Sequence, residues 1–340
     1  MTIGPSAESR SDSGTDAART GTGDRAGSPI VAAKDIHLSF GEVHALNGAS
    51  LAIEEGTLYA LLGSNGAGKT TLINVLSTLL RPDGGTASVG GADVVTDART
   101  VRRLVGLAGQ FAAVDDYLTG RENVEMVGEL YGLSRSESRR RAHDVLERFN
   151  LSDAADRRTG GYSGGMRRRL DLAASLVGEP KVLFLDEPTT GIDPGSRLDI
   201  WRLVRELVAA GTTILLTTQY LEEADELADR IGVINRGSIV AEGTADELKD
   251  ALGANRIRLR VRDQDLDATR AATRELPGIT EADGGEFEIP AADGTRSLMS
   301  IVRSLDAAKI EPLSLALERP TLDDVFLDIT TDNPKGESHS

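Results

Sequence analysis

The fold is decided by a glycine-rich stretch that reads Gly63-Ser64-Asn65-Gly66-Ala67-Gly68-Lys69-Thr70-Thr71. It follows an apolar segment, residues 58–62, and runs into an apolar helical pattern over residues 72–79. In such a loop, successive backbone N–H groups point into one concavity, where they bind phosphate oxygens. Lys69 adds a positive charge for the terminal phosphates, and the Thr70 hydroxyl is a ligand for Mg²⁺. The strand, loop and helix therefore predict a nucleotide-binding P-loop.

Length and composition restrict the classes of protein to which the chain can belong. The chain has 340 residues, which favours two domains plus tails. Its net charge of −16 argues against a nucleic-acid partner, because proteins that coat nucleic acid need a basic face. The chain has no cysteine, which excludes disulfides and thiolate metal sites.

The two ends of the chain are predicted to be disordered tails, residues 1–28 and 331–340. The first tail is small, polar and charged, and holds no apolar core of the length of a signal peptide. No window of about 18 apolar residues occurs in the sequence, so no membrane span is predicted. A protein of this kind that acts at a membrane docks on another protein.

The residues before the P-loop alternate between apolar and polar over 29–53, which predicts two or three antiparallel strands. Phe40, next to Gly41, has two interpretations at this point. It is either an ordinary core aromatic or a ring that stacks on a purine base.

A mainly helical insert is predicted at about residues 111–160. Thr119 and Glu122 have the Thr-x-x-Glu form of a capping box, which marks the start of one helix. The next helix has apolar residues on one face and Arg139, Arg140 and Arg141 on the other.

Two further segments carry candidate chemistry. Ser163-Gly164-Gly165 precedes a helical run, so a hydroxyl and bare N–H groups lie at a helix N-terminus, which is an anion-binding geometry or a simple N-cap. The run 181–188 is apolar and ends in Asp186 and Glu187, as expected of a strand buried on both faces with its chemistry at its carboxyl end. Asp186 is suited to hold Mg²⁺ through water, and Glu187 to accept a proton from an attacking water.

The remaining residues, 244–330, predict a separate accessory domain. A capping box at Thr244 and Glu247 starts the segment, and the order of elements that follows is β-α-β-β-α-β, which is typical of a ferredoxin-like domain. Residues 256–262 alternate strictly, with apolar residues on one face and arginines on the other. We interpret this arginine stripe as a solvated or salt-bridged edge rather than a ligand site.

Taken in order, the motifs of residues 29–243 resemble those of the ATP-binding-cassette (ABC) ATPase family. The matches in chain order are the base-stacking aromatic Phe40, Walker A at 63–71, the Q-loop Gln110, the signature motif Ser163-Gly164-Gly165, Walker B ending in Asp186 and the catalytic Glu187, the D-loop Asp193, and Gln219 at the H-loop position.

This resemblance implies an α/β fold: a P-loop NTPase cassette with an antiparallel β subdomain and a helical insert, followed by the small α+β domain. It implies ATP as the nucleotide, Mg²⁺ held by Thr70, Gln110 and Asp186, and catalysis by Lys69, Glu187 and Gln219. It also implies two cassettes facing head to tail, so that each ATP contacts 63–71 of one subunit and 163–165 of the other.

Two departures from the family pattern stand out. The signature reads Tyr-Ser-Gly-Gly-Met instead of Leu-Ser-Gly-Gly-Gln, and Gln219 replaces the usual histidine. An amide donates a hydrogen bond to a γ-phosphate but does not become cationic near neutral pH. The run 219–225, with Leu-Thr-Gly-Arg-Glu-Asn at 118–123, resembles the daunorubicin-resistance type of drug exporter, whose members often carry glutamine here.

Two functions are therefore open. The first is the ATP-hydrolysing subunit of an exporter, peripheral on the cytoplasmic face of the membrane and partnered with a separate membrane-spanning permease. The second is a soluble ABC ATPase that acts on ribosomes or DNA; the absence of a second cassette or a long coiled coil disfavours it. A GTPase or small-molecule kinase is disfavoured by the lack of an Asn-Lys-x-Asp motif and by Ser163-Gly164-Gly165.

Overall fold

The computed structural model describes residues 28–109, 114–251, 255–274, 278–282, 284–291 and 293–331. The predicted tails, apart from residues 28 and 331, lie outside the described residues, so their disorder stays a prediction. In chain order, the strands and helices up to residue 251 are β1 (Val31–Phe40), β2 (Val43–Ile53), β3 (Leu58–Leu62), α1 (Lys69–Leu76), β4 (Gly84–Val89), β5 (Ala92–Asp93), α2 (Ala98–Leu104), β6 (Val105–Ala108), α3 (Gly120–Leu130), α4 (Arg135–Arg148), α5 (Gly164–Leu176), β7 (Val182–Asp186), α6 (Pro194–Ala209), β8 (Thr213–Thr218), α7 (Leu221–Leu227), β9 (Arg230–Asn235), β10 (Ser238–Gly243) and α8 (Ala245–Ala251).

The centre of the molecule is a six-stranded sheet in the order β10-β9-β3-β8-β7-β6, parallel except for the pair β10-β9. All residues of β3, β7 and β8 are buried, which confirms the prediction of strands covered on both faces. Successive side chains point to opposite faces: Leu58 and Ala60 pack with one core, whereas Tyr59 packs with the other. The P-loop and Glu187 thus follow rigid, buried strands.

The predicted strands before the P-loop, β1 and β2, form an antiparallel sheet with β4 and β5, which follow α1; the order is β2-β1-β4-β5. Its inner face shares a core with α1 and one face of the central sheet. The antiparallel β subdomain of the prediction is therefore confirmed, and it lies against the P-loop helix.

The helical insert is confirmed for the part that the structure describes, from residue 114 onwards. Its two helices are α3 and α4, and α3 starts with the predicted capping box. The Glu122 N–H donates to Thr119 Oγ1 at 3.2 Å, and the Thr119 N–H donates to Glu122 Oε2 at 2.8 Å. The apolar faces of both helices pack against α5 and the central sheet.

The C-terminal domain has the predicted ferredoxin-like order. Its elements are β11 (Asn255–Arg260), α9 (Leu266–Thr273), β12 (Thr280–Ala282), β13 (Glu286–Ala291), α10 (Thr295–Ala307), β14 (Ser314–Glu318) and, after them, α11 (Leu322–Thr331). The strands form an antiparallel sheet in the order β12-β13-β11-β14, with a core of its own. Arg258 of the arginine stripe pairs with Glu286 at 3.1 Å and Glu318 at 3.4 Å, so the stripe is salt-bridged, as predicted. Because β11 lies between β13 and β14, the stripe is on a face of the sheet and not at an edge.

Helices α8 and α11 flank this domain but pack on the cassette. Leu248 of α8 and Leu322 and Val325 of α11 are buried in the same core as Ala224 and Leu227 of α7. The C-terminal chain therefore leaves the cassette and returns to it. No helix among the described residues is long and apolar enough to cross a membrane.

Candidate nucleotide site

The P-loop joins β3 to α1 through a turn that only glycine fits at two points. A Cβ at Gly63 would lie 2.6 Å from the Ile234 carbonyl oxygen. Gly68, directly before α1, has φ +112° in the left-handed region, and a Cβ there would lie 2.6 Å from the Ala45 carbonyl oxygen. The glycines of the motif therefore let the loop curl closely against β2 and β9.

Lys69 turns back over this loop. Its Nζ donates to the carbonyl oxygens of Gly63 at 2.8 Å and Ser64 at 3.0 Å. It also forms an ion pair with Glu187 Oε1 at 3.2 Å, and both side chains are buried. Burial strengthens this attraction, so the two predicted catalytic groups hold each other at the carboxyl edge of the sheet.

Thr70 and Asp186 meet beside this pair. The Thr70 hydroxyl donates to Asp186 Oδ1 at 3.2 Å, and the Thr217 hydroxyl donates to the same oxygen at 2.5 Å. Among the described residues, no group of three or more histidine, aspartate or glutamate side chains is placed to hold a metal by itself. A hydroxyl and a carboxylate fit Mg²⁺ at a nucleotide, because that ion takes one or two protein oxygens and completes its shell with phosphates and water.

Glu187 has an unusual backbone. Its φ is +48°, in the left-handed region that residues with a Cβ rarely adopt. Its N–H donates to both the carbonyl and the hydroxyl oxygen of Thr217, at 3.1 Å each, and its Oε2 accepts from the Thr190 hydroxyl at 3.2 Å. These bonds fix the direction of the carboxylate.

A cavity of about 370 Å³ opens over these groups. The residues that line it are Val43, His44, Ala45, Asn65, Gly66, Gly68, Lys69, Thr70, Thr71 and Glu187. A helix N-terminus, a lysine and two threonine hydroxyls at one wall favour a polyanion such as a triphosphate. The apolar Val43 and Ala45 of β2 form another wall, which the sequence had not indicated.

Phe40 lies at the tip of the β1-β2 hairpin, opposite Val43. Its side chain is 52% exposed, so the interpretation as a core aromatic is wrong. Phe40 does not line the cavity itself. Because this exposed ring lies opposite Val43 of the cavity wall, stacking on the base stays the prediction.

Of the two glutamines predicted for the site, Gln219 is described by the structure and Gln110 is not. Gln219 directly follows β8, in which Thr218 pairs with Leu62 of β3 and Thr217 pairs with Asp186 of β7. It therefore lies, half-buried, at the sheet edge between the P-loop and Glu187. Gln110 lies outside the described residues.

Ser163-Gly164-Gly165 and Asp193 are helix starts in this chain and do not line the cavity formed by the described residues. Ser163 Oγ accepts from the Met166 N–H at 3.2 Å at the start of α5. Asp193 Oδ2 accepts from the Ser196 N–H at 2.9 Å at the start of α6, and this bond lowers the pKa of the carboxyl. The structure thus brings the Walker residues together and leaves these two segments outside their cavity.

Besides the wall at Val43 and Ala45, sequence reasoning missed two residues that hold the carboxylates of the site in place. Thr217 bonds both Asp186 and the Glu187 backbone, and its signal was a threonine at the end of a buried strand. Arg168 bonds the backbone on either side of Glu187, but within the run 167–169 nothing in the sequence marks it as the buried arginine.

A P-loop on a parallel sheet, with a lysine, a hydroxyl and two carboxylates at its carboxyl edge, defines a P-loop nucleotide hydrolase. Comparison with known proteins narrows the class. Residues 46–190 match the family model of the ABC transporter, and residues 243–330 match that of the ATP-binding protein DrrA1-3-like, C-terminal domain.

Similar proteins cover most of the chain. Daunorubicin resistance ATP-binding protein DrrA3 of Streptomyces coeruleorubidus is 52% identical over 295 residues, which are 86% of this chain and 93% of that protein. Doxorubicin resistance ATP-binding protein DrrA of Mycobacterium tuberculosis (strain ATCC 25618 / H37Rv) is 49% identical over 305 residues, 88% of this chain and 92% of that protein. A solved dimer of the ATP-binding cassette MJ0796, in a post-hydrolysis state with ADP and Pi, has a TM-score of 0.58 at 26% identity and covers 63% of this chain and 98% of its own.

The chain therefore belongs to the ABC transporter family, among the ATP-binding proteins of the daunorubicin-resistance type. It is an ABC-type ATPase that binds nucleotide, as the sequence predicted. The comparisons give no support to the alternative of action on ribosomes or DNA.

Proposed function

We propose that this chain is the ATP-hydrolysing subunit of an exporter that moves drugs or other hydrophobic compounds through a separate membrane-spanning permease. The observation that carries the proposal is the convergence of Lys69, Thr70 and Glu187 on one cavity, with Asp186 bonded to Thr70, in a chain about half identical to drug-resistance ATP-binding proteins. The expected location is the cytoplasmic face of the membrane, held there by the permease.

In this proposal the triphosphate of ATP lies along residues 63–71, and the base stacks on Phe40. Lys69 and the loop N–H groups bind the phosphates. Thr70, Asp186 and Gln110 would hold Mg²⁺, which when bound neutralises phosphate charge. The carboxylate of Glu187, released from Lys69 by the arriving phosphates, orients and deprotonates the attacking water.

Gln219 is proposed to bind the γ-phosphate. It lies between the P-loop and Glu187 and provides an amide N–H₂ donor. A neutral amide keeps this donor at every physiological pH, whereas a histidine at the same place would titrate.

We further propose a homodimer in which 163–165 of one subunit contact the nucleotide of the other, with Asp193 close to the interface. The support is that these helix starts do not line the cavity that the described residues of their own chain form, although they have the geometry of an anion site. The cassette in the solved dimer has a similar fold. In the proposed dimer, residues 163–165 of a second copy of this chain complete the nucleotide site that residues 63–71 of the first copy begin.

The permease has a suitable surface to bind. A groove of about 550 Å³ lies between the segment after α1, α2, β6 and α3. Its apolar lining includes Leu79 and Leu130, both more than half exposed, and it is edged by Arg99, Arg102 and Arg103. Exposed apolar side chains in a groove mark interaction sites. In a chain of net charge −16, a local cluster of arginines favours a partner segment with carboxylates.

The domain division, 29–243 for the cassette and 244–330 for the accessory domain, remains a proposal. The matched family ranges, which end and begin at residues 190 and 243, support it. Because α8 and α11 pack on the cassette, the accessory domain shares a hydrophobic core with the cassette through these two helices.

The test is drug efflux in a susceptible bacterial host that expresses this chain together with a candidate membrane-spanning permease. Wild type should lower the accumulation of daunorubicin, followed by its fluorescence, whereas Lys69→Ala should not. Lys249→Ala removes a lysine that pairs with Asp225 at the surface and is the matched control. Equal accumulation in cells with wild-type and Lys69→Ala protein at equal expression would refute the proposal.

A further inference from the structure

The backbone of Glu187 needs support from its surroundings. A left-handed conformation in a residue with a side chain is strained and persists only where neighbouring structure holds it. Thr217 of β8 holds the N–H of Glu187 on one side. The carbonyl groups of the residues before and after Glu187 are held by a different side chain.

Arg168, in the second turn of α5, makes these contacts. Its Nε donates to the Pro188 carbonyl oxygen at 2.8 Å, and its Nη2 donates to the Asp186 carbonyl oxygen at 3.2 Å. Its Nη1 donates to the carbonyl oxygen of Gly109 and to Asp171 Oδ2. One planar guanidinium thus binds the carbonyls of both residues that flank Glu187.

The charge of Arg168 is held inside the protein. Its side chain is only 7% exposed, and that of Asp171, 3.2 Å away, is 6% exposed. Burial lowers the pKa of Arg168, and the carboxylates of Asp171, Asp186 and Glu223 oppose this shift. An arginine remains cationic in such a setting, so its fork is a permanent, rigid set of donors.

Arg168 does not line the nucleotide cavity, so it is not a ligand of the phosphates within the described structure. We propose that Arg168 is a positioning residue for ATP hydrolysis: it fixes the strained backbone of Glu187 relative to α5 so that the carboxylate faces the reacting phosphate. The inference rests on the proposed role of Glu187 as the base. It differs from a purely structural role because it predicts a loss confined to the chemical step.

The experiment measures steady-state ATP hydrolysis and ATP affinity of the purified full chain with Arg168→Ala and Arg168→Lys. A displaced base costs roughly 10- to 100-fold in rate, and we expect kcat to fall by this factor in Arg168→Ala. Lysine keeps the charge, but its single ammonium group cannot reach all the acceptors that the wider, planar guanidinium fork spans, so kcat of Arg168→Lys should fall roughly tenfold. The Kd for ATP should change less than about twofold, because binding depends on 63–71.

Arg141 provides a matched control. It also bonds a carbonyl, that of Val177 at 3.2 Å, and carboxylates of Glu137 and Glu179, but it has no recorded contact with Glu187 or its neighbours in the described chain. Arg141→Ala should lower the melting temperature and leave kcat unchanged. A kcat loss of equal size in Arg141→Ala would show that general destabilisation explains the result and would overturn the proposal.

A double variant separates this inference from the proposed function. If Arg168 acts through Glu187, Arg168→Lys combined with Glu187→Gln should hydrolyse ATP no more slowly than Glu187→Gln alone. Normal hydrolysis by Glu187→Gln would refute the base itself. An inactive Glu187→Gln together with normal kcat in a folded Arg168→Lys would leave the base in place and refute the inference about Arg168. Should Arg168→Ala fail to fold by circular dichroism, Arg168→Lys carries the same comparison.

Discussion

Replacing Glu187 with glutamine tests the proposed chemistry most directly, because the substitution keeps the shape of the side chain and removes the base. In the structure the carboxylate pairs with Lys69 at 3.2 Å and accepts from the Thr190 hydroxyl. The amide oxygen of glutamine still accepts one of these bonds. The charge of Lys69 loses its buried partner, which costs about 1 to 3 kcal/mol of folding stability before nucleotide is added.

The catalytic loss is larger. Removing a general base lowers a rate by roughly 10²- to 10⁴-fold, or about 3 to 5 kcal/mol of barrier. ATP should still bind, since its phosphates are held by residues 63–71. At an ATP concentration of about 100 times Kd, binding stabilises the fold by about 2.7 kcal/mol, which is roughly 4 °C in melting temperature for a chain of this length. Glu187→Gln should therefore regain its lost stability with Mg·ATP and keep it, because the ATP persists.

Three measurements check this: phosphate release, the melting temperature with and without Mg·ATP, and molecular mass by light scattering. The expected results are slow release, a lasting thermal shift, and a doubled mass under saturating ATP. Glu129→Gln, at an exposed ion pair with Arg135, is the control and should match wild type. Hydrolysis at the wild-type rate would refute Glu187 as the base, and a variant that stays monomeric with ATP bound would refute the dimer for the isolated subunit.

Four further predictions follow from the structure. Gln219→Ala should slow hydrolysis with ATP affinity nearly unchanged, because a γ-phosphate donor is lost, and Gln219→His should retain activity; a normal rate in Gln219→Ala would make the residue a bystander. A chain ending after residue 243 should still bind ATP, measured by fluorescent-nucleotide titration, but melt at a lower temperature because the buried face of α7 loses its cover; no binding by a folded truncation would contradict this. Burial raises the pKa of Glu223, so the folded state binds this proton more tightly than the unfolded state does, and the resulting contribution to stability is lost as pH rises above 4.5. The melting temperature of Glu223→Gln minus that of wild type should therefore grow with pH. A pH-independent difference would contradict this prediction. Leu130→Asp should weaken co-purification with the permease while ATPase activity of the isolated subunit stays unchanged, whereas Val240→Asp, also at an exposed position, should affect neither; equal permease recovery with Leu130→Asp would remove the groove as the docking site.

Much of the fold followed from the sequence because its signals are local. The P-loop lies between a strand and a helix, and the capping boxes at Thr119 and Thr244 both start helices as predicted. The alternation in residues 256–262 predicted a strand with one buried face, and that face is the core of the ferredoxin-like domain. Each of these patterns can be recognised from residues that are close together in the sequence.

The parts of the site that the sequence did not reveal depend on contacts between distant residues. The ion pair of Lys69 with Glu187 and the bond of Thr217 to Asp186 arise because parallel strands place their carboxyl ends at one edge. The choice of Arg168 over its neighbours depends on which side of α5 faces the sheet. The cavity wall at Val43 comes from a hairpin whose position only the packed structure fixes.

The position of α11 changes how the C-terminal domain is to be understood. All the ATP-site motifs precede residue 244, so the sequence alone separates that domain from the chemistry. Yet α11 packs on α7, which starts two residues after Gln219, and Val325 is buried in the same core as Ala224. Removing the domain therefore uncovers the helix attached to the Gln219 loop. That helix also carries Glu223, which accepts a hydrogen bond from Thr189, two residues after Glu187. If a truncated chain binds ATP but hydrolyses it slowly, we would therefore attribute the slow hydrolysis to a displaced α7 and not to the loss of a catalytic group.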